Sequence, residues 1–324
     1  MLIALAAIAA LATSAGAASA RNTSTKLALV AYSTPTDAYK ELIPLFQKTD
    51  AGKDITFSTS FGSSGEQAAA VHNGLPADIV ALSLAPDVAV LTQAGLVSST
   101  WNRDPYGGLV TRSIVVFVVR KGNPKGIKTW QDLIKPGVDV INANPFTSGG
   151  ARWNVMAAYG AQIRNKRSPA QAQGYLKALY QHISVQDKSA RDSLNTFLAG
   201  KGDVLLAYEN EAIQAQQKGS SVDFVRPSST ILIENPIAVT KGSQHPAEAK
   251  AFIDFLRTDE AQDVFAKRGY RSISPAIAAK WRVTFPVSKF QFTIREIVKG
   301  GWPVAQKQFF DPDSGIIKKV QSGG

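Results

Sequence analysis

The chain has 324 residues, 44% of them hydrophobic, which is enough for two apolar cores and fits a globular α/β protein of ordinary composition. It contains no cysteine, and this excludes disulfides, thiolate metal sites, cysteine nucleophiles and the cysteine-borne lipid of a lipoprotein. The formal charge is +11, but lysine and arginine are scattered and no helix carries a basic stripe interleaved with aromatics, so the charge reads as a solvated surface rather than a nucleic-acid footprint.

Residues 1–11 are almost wholly apolar, and small residues follow up to Ala18-Ser19-Ala20. Residues 1–20 are therefore expected to be an export signal, with the mature chain starting near Arg21. The segment lacks the usual basic start, and a short membrane anchor is the competing reading. After it, strands and helices alternate. Residues 27–31 read as an apolar strand and 38–48 as a helix with Leu42, Leu45 and Phe46 on one face. A strand at 55–60, a helix at 67–72 closed by Asn73-Gly74, a strand at 78–82 and a helix at 87–93 ending at Gly95 follow. The β-branched run 113–120 suits a central buried strand, ended by the turn Lys121-Gly122-Asn123-Pro124. Next come a short helix from Thr129, a strand at 138–141, helices at 150–162 and 169–181, and a strand at 183–185. A helix at 190–199, a strand at 204–207, a helix at 209–217, a strand at 231–239 and amphipathic helices at 245–256 and 259–268 complete the pattern. No flexible linker divides it, so two domains would be joined by more than one crossing of the chain.

Four strand-to-helix junctions share one chemistry. Thr34-Pro35-Thr36-Asp37 has the form of a capping box with proline at the first helical position, and Ser63-Ser64-Gly65-Glu66 is a second box, with Ser64 an equal candidate for the cap and Gln67 three residues on. Thr147-Ser148-Gly149-Gly150 puts a hydroxyl cap and two glycines at a helix start, and Ser189-Ala190-Arg191-Asp192 is a fourth box-like start. Glycine leaves backbone N–H groups uncovered, so an anion could approach the positive end of the helix dipole. The plain alternative is an ordinary capped helix whose glycines serve close packing. Helix starts gather at one edge of a doubly wound sheet, and four of them there favour a small anion.

Several stretches then resemble a known family, the periplasmic sulfate-binding proteins that deliver sulfate or thiosulfate to ABC importers. The resemblance runs from about residue 27 to 310 and rests on Val118-Val119-Arg120-Lys121-Gly122-Asn123-Pro124, Ser148-Gly149-Gly150-Ala151-Arg152-Trp153-Asn154, Glu209-Asn210-Glu211-Ala212 and the Gly300-Gly301-Trp302 element. It implies a two-lobed α/β periplasmic-binding-protein fold of type II with the ligand in the interlobe cleft. The first lobe is expected over 27–111 and 237–284 and the second over 112–236, with 285–324 unassigned. The resemblance also implies a monomeric, periplasmic partner of membrane permease subunits that needs no cofactor or metal. Ser64, Gly149, Gly150 and Ala190 would offer backbone N–H groups, and Ser148 its hydroxyl. Two positions depart from the family pattern: Thr34 stands where aspartate is usual, and Tyr208 where a tryptophan donates its indole N–H.

Donors alone suit a fully ionised tetrahedral anion. Sulfate only accepts hydrogen bonds, whereas buried phosphate keeps a proton that needs an acceptor, at a cost of about 1–3 kcal/mol when none is present. Asp37, Glu66 and Asp192 are read as helix caps, and Arg152 and Arg191 as residues that screen or orient the loops. Molybdate or tungstate is the rival ligand. From another class, a hydrolase of a sulfated or phosphorylated small molecule is the alternative, although no HExxH, GxSxG or Walker A pattern occurs and His72, His182 and His245 read as solvated.

Overall fold

The computed structural model describes residues 25–322, so the expected signal at 1–20 lies outside the described residues. The first part of the chain forms β1 (Thr25–Tyr32), α1 (Thr36–Phe46), β2 (Ile55–Gly62), α2 (Ser64–His72), β3 (Ile79–Ala81) and α3 (Ala85–Gln93). Then come β4 (Leu109–Arg120), a 3-10 turn (Trp130–Ile134), β5 (Val140–Ile141), α4 (Gly149–Arg164), α5 (Pro169–Gln181), β6 (Ile183–Val185), α6 (Ala190–Leu198), β7 (Val204–Tyr208), α7 (Glu209–Gln217) and β8 (Val222–Val225). The last third holds β9 (Ser229–Val239), α8 (Pro246–Leu256), α9 (Asp259–Lys267), α10 (Pro275–Lys280), β10 (Phe290–Phe292), α11 (Ile294–Ile297), α12 (Trp302–Phe310) and α13 (Ile316–Gln321).

The strand order β2-β1-β3-β9-β4-β7-β5-β6 contains two parallel sets, β2-β1-β3 and β7-β5-β6. Between them run the long antiparallel strands β4 and β9, which change partners along their length. The end of β9 pairs with β3 through Ile237, Ala238 and Val239, while its middle pairs with β4. From Val115 onward β4 pairs with β7 instead. The chain thus crosses between two α/β lobes on shared strands, which is why no linker composition marks the boundary.

Each lobe has its own core. Leu29, Tyr39, Leu42, Phe46, Phe252 and Phe265 centre the first, and Phe117, Trp130, Trp153, Met156 and Leu206 the second. The C-terminal segment, unassigned from sequence, joins the second core through Phe292, Trp302, Phe309 and Phe310. Trp302 meets the Trp153 ring edge-on at 4.7 Å, and Phe309 meets Tyr159 at 4.8 Å. Helix α4 is consequently buried on every side from residue 149 to 162 and shows no amphipathic stripe.

Several local expectations change. The helix expected from Thr129 is a 3-10 turn. The capping box at Thr34 does not form: α1 starts at Thr36, with Pro35 as a cap that makes no side-chain bond. Thr34 instead shares a 3.0 Å hydrogen bond with the Tyr270 hydroxyl, and Asp37 takes Lys218 at 2.6 Å and Arg191 at 3.5 Å rather than capping its helix. Charged partners across the cleft outcompete a cap worth about 1 kcal/mol. Finally, α3 begins two residues before Asp87, with Pro86 inside its first turn.

Candidate anion-binding site

Helix α4 has a Ser148 cap with extended backbone (φ −95°, ψ 117°), and the Ser148 Oγ accepts from Ala151 N at 3.3 Å. The hydroxyl hydrogen stays available to donate. The first N–H groups of any helix lack intrahelical acceptors, and here the cap serves only the third. Among the described residues, no acceptor bonds the N–H of Gly149 or Gly150, and the same holds for Thr34, for Ser64 at the start of α2 and for Ala190 at the start of α6. At α6 the neighbouring groups are served locally: Ser189 Oγ accepts from Asp192 N at 3.1 Å and donates to the Asp192 carboxylate at 2.7 Å.

These starts meet around Ser83, which follows β3. Ser83 N donates to Ser64 Oγ at 2.9 Å, and Ser83 Oγ lies 2.6 Å from the Tyr208 hydroxyl. Its carbonyl accepts from Trp153 Nε1 at 2.9 Å and from Asn235 Nδ2 at 3.0 Å. Ser64, Ser83, Ser148 and Tyr208 are each at most 2% exposed, so the cluster is sealed from bulk water. Burial holds the Tyr208 phenol well above its ordinary pKa, so it keeps its proton. Between them, Ser83 and Tyr208 have two hydroxyl hydrogens and spend one on each other.

The two glycines have different tasks. A β-carbon on Gly149 would lie 2.3 Å from Leu84 and 2.7 Å from the Ser83 β-carbon, so this glycine serves the close packing of one lobe on the other. A β-carbon on Gly150 would face Ala190 at 3.3 Å and Ser148 Oγ and Tyr208 at 3.5 Å. Gly150, Ala190, Ser148 and Tyr208 therefore surround a single point.

Charged groups stand one layer back. Ser64 Oγ donates to Asp87 at 2.5 Å, and the other Asp87 oxygen accepts from Arg152 Nη1 at 3.0 Å. Burial pushes the Asp87 carboxyl up, against the pull of Arg152 and Ser64. Arg152 also donates to the Pro145 carbonyl at 2.8 Å, which orients the loop before α4. On the opposite side Arg191 binds Glu211 at 2.6 Å and reaches the Thr34 carbonyl at 3.1 Å. The Glu211 carboxylate beside it raises the Arg191 pKa, and burial acts the other way. For Asp37, burial opposes ionisation, yet Lys218 and Arg191 outweigh it and hold the carboxyl below its usual range.

The structure brings Thr34, Ser64, Ser148, Gly149, Gly150, Ala190 and Tyr208 to one place, with Thr34 tied in through Arg191, the neighbour of Ala190. Asp192 accepts from the Ser189 hydroxyl and returns its N–H to it, so that cap forms, but the box expected at Ser63 does not: Ser63 donates its hydroxyl to Glu66 and accepts no backbone N–H. Sequence reasoning missed Ser83, Asp87 as the partner of Arg152, and the Tyr270 bond to Thr34. A signal for the first two existed. Ser83-Leu84-Ala85-Pro86-Asp87 has the same grammar of serine, proline in the first turn and an acid.

The family of bacterial extracellular solute-binding proteins matches residues 27–271. The chain is 42% identical over 305 residues to the sulfate-binding protein of Synechococcus elongatus, covering 91% of this chain and 86% of that one. It is 37% identical over 307 residues to the thiosulfate-binding protein of Pseudomonas aeruginosa, covering 90% and 91%. Among solved structures, the sulfate-binding protein SubI from Mycobacterium tuberculosis H37Rv superposes with a TM-score of 0.86 at 40% identity, over 89% of this chain and 100% of that one. The match over both lobes, together with the shared strands β4 and β9 and the closed cleft between them, establishes that this chain belongs to the bacterial extracellular solute-binding protein family.

Proposed function

We propose that this protein is an exported, monomeric receptor that captures sulfate, with thiosulfate next in preference, and delivers it to the membrane permease subunits of an ABC importer. The observation that carries this reading is the set of unpartnered N–H groups at Thr34, Ser64, Gly149, Gly150 and Ala190, gathered with the Ser148 and Tyr208 hydroxyls in a cleft where all but the half-buried Ala190 are buried. Each such group, left buried without an acceptor, costs about 1–3 kcal/mol, and a tetrahedral dianion with four acceptor oxygens relieves several together. Backbone N–H groups cannot accept a proton. Asp87, behind Ser64, already accepts from Ser64 on one oxygen and from Arg152 on the other, so a protonated phosphate would have to compete with both for it. The names of the relatives agree with this choice.

The lobe limits follow the same reading. Residues 27–111 with 237–284 close on 112–236; β9 passes from β4 to β3 between Pro236 and Ile237, and β4 passes from β9 to β7 between Ile114 and Val115, three residues beyond the expected limit, while Phe292, Trp302, Phe309 and Phe310 join the C-terminal segment to the second core. No helix among the described residues is long and apolar enough to cross a membrane, which fits a receptor that meets its permease from outside. Isothermal titration of the chain against sulfate, thiosulfate, molybdate and phosphate tests the proposal. Sulfate is expected to bind tightly and to raise the melting temperature, while phosphate at equal concentration does little. Phosphate binding as tight as sulfate would refute the donor-only reading.

A further inference from the structure

A crevice of about 1130 Å³ opens beside the cradle, with α2, α3 and α12 around it, and shares Gly65, Asp87 and Arg152 with the cradle wall. On its β4–β9 side, Arg112 and Glu234 stand directly opposite each other in the antiparallel register. Arg295 of α11 lines it from the C-terminal segment. Among the described residues, Arg112, Arg295 and Glu234 take part in no ion pair within 4.0 Å, and the Arg112 Nε is buried without an acceptor. Arg152 is already committed to Asp87. The crevice therefore sets three guanidiniums against two carboxylates, and burial pushes one of those carboxyls, Glu234, up towards its neutral form despite Arg112 and Arg295.

A guanidinium that lines a crevice with no ion-pair partner gains charge-assisted hydrogen bonds when an anion arrives from solvent. The position of these groups matters as much as their charge. Gly65 N donates to the Thr147 carbonyl at 3.0 Å, a bond between the lobes that stands between crevice and cradle. An oxyanion held at Arg112 and Arg295 would wait beside the point where that bond opens.

We propose that this crevice is a second, weaker site for the same inorganic dianion, occupied on its way into and out of the cradle. The proposal rests on the receptor reading above. It separates two tasks: cations in the hydrated crevice concentrate the anion and speed its arrival, and neutral donors in the sealed cradle hold it. Screening by water and salt keeps the crevice site weak.

The test uses the full chain, inorganic sulfate and the double variant Arg112→Gln with Arg295→Gln. Stopped-flow tryptophan fluorescence at low ionic strength should show sulfate association slowed about tenfold, with the difference shrinking in about 0.5 M NaCl. Equilibrium dialysis with labelled sulfate should find one tight site and one roughly millimolar site in the unaltered chain, and only the tight one in the double variant. An unchanged association rate together with an unchanged weak site overturns the proposal. Loss of the tight site in a folded double variant also overturns it, because the arginines would then belong to the cradle. Should the unaltered chain bind no sulfate tightly, the receptor reading fails instead. A weak sulfate site that disappears with the two arginines would still support the crevice in that case, and its persistence would not.

Discussion

Tyr208 and Glu209 are consecutive, yet they face opposite electrostatic settings. Tyr208 ends β7 and turns its hydroxyl to Ser83 among neutral donors. Glu209 opens α7, is fully buried, and is held by Arg271 through bonds of 2.7 and 3.2 Å and by Arg226. Two residues on, Glu211 is equally buried and takes Arg191. The cradle thus has helix starts and hydroxyls, while the layer behind it is a network of ion pairs. On the proposed receptor reading, release explains the difference. A dianion paired with a buried guanidinium leaves an uncompensated charge when it departs, whereas N–H dipoles are costly but tolerable when emptied. Fixed charges hold parts that stay, and neutral donors hold the part that leaves.

The harshest way to break this division is to place a charge in the neutral region. Gly149→Asp adds a carboxylate and a β-carbon where the lobes already touch, so sulfate binding should fall beyond detection by calorimetry while far-UV circular dichroism stays native. Preserved affinity would remove this loop from the site. The alanine pair sharpens the point, since Gly149→Ala meets Ser83 and Leu84 below 3.0 Å and should weaken binding more than Gly150→Ala, whose nearest contact is 3.3 Å.

Removing a charge from the network behind should act on stability first. Glu209→Gln leaves Arg226 and Arg271 without their shared carboxylate, and the expected loss is about 3 kcal/mol, seen as a melting temperature lower by roughly 5–10 °C. The variant that does fold should keep its preference for sulfate over phosphate. A changed preference would show that the charged layer takes part in recognition.

Tyr208→Phe is the gentlest probe. It deletes one hydroxyl from the cradle and should weaken sulfate binding by roughly 1.5 kcal/mol, about tenfold, with Tyr208→Trp recovering much of that. If titration shows Tyr208→Phe to be neutral, the phenol merely packs against Ser83.

Much of this was written in local sequence. The patterns at Ser148 and Ser189 determine helix starts through cap bonds within three residues, and they stand in the structure where the pattern puts them, whereas Ser63 precedes its helix without capping it. The β-branched run at Ser113 marks a buried strand through side-chain preference, although its hydrogen-bond partners are distant in sequence. Tertiary structure decided the rest. Thr34 and Asp37 have the letters of a cap, but Tyr270, Lys218 and Arg191, far away in sequence, claim their side chains. Gly149 reads as an opening for an anion, and only the approach of Ser83 and Leu84 shows that it is also room for the other lobe. The pairing of Asp87 with Arg152 and the docking of Trp302 on Trp153 likewise span 65 and more than a hundred positions. Local hydrogen bonds are fixed by short-range geometry that residue types reveal, whereas contacts across a cleft depend on how two separately folded lobes close, which no short window of sequence contains.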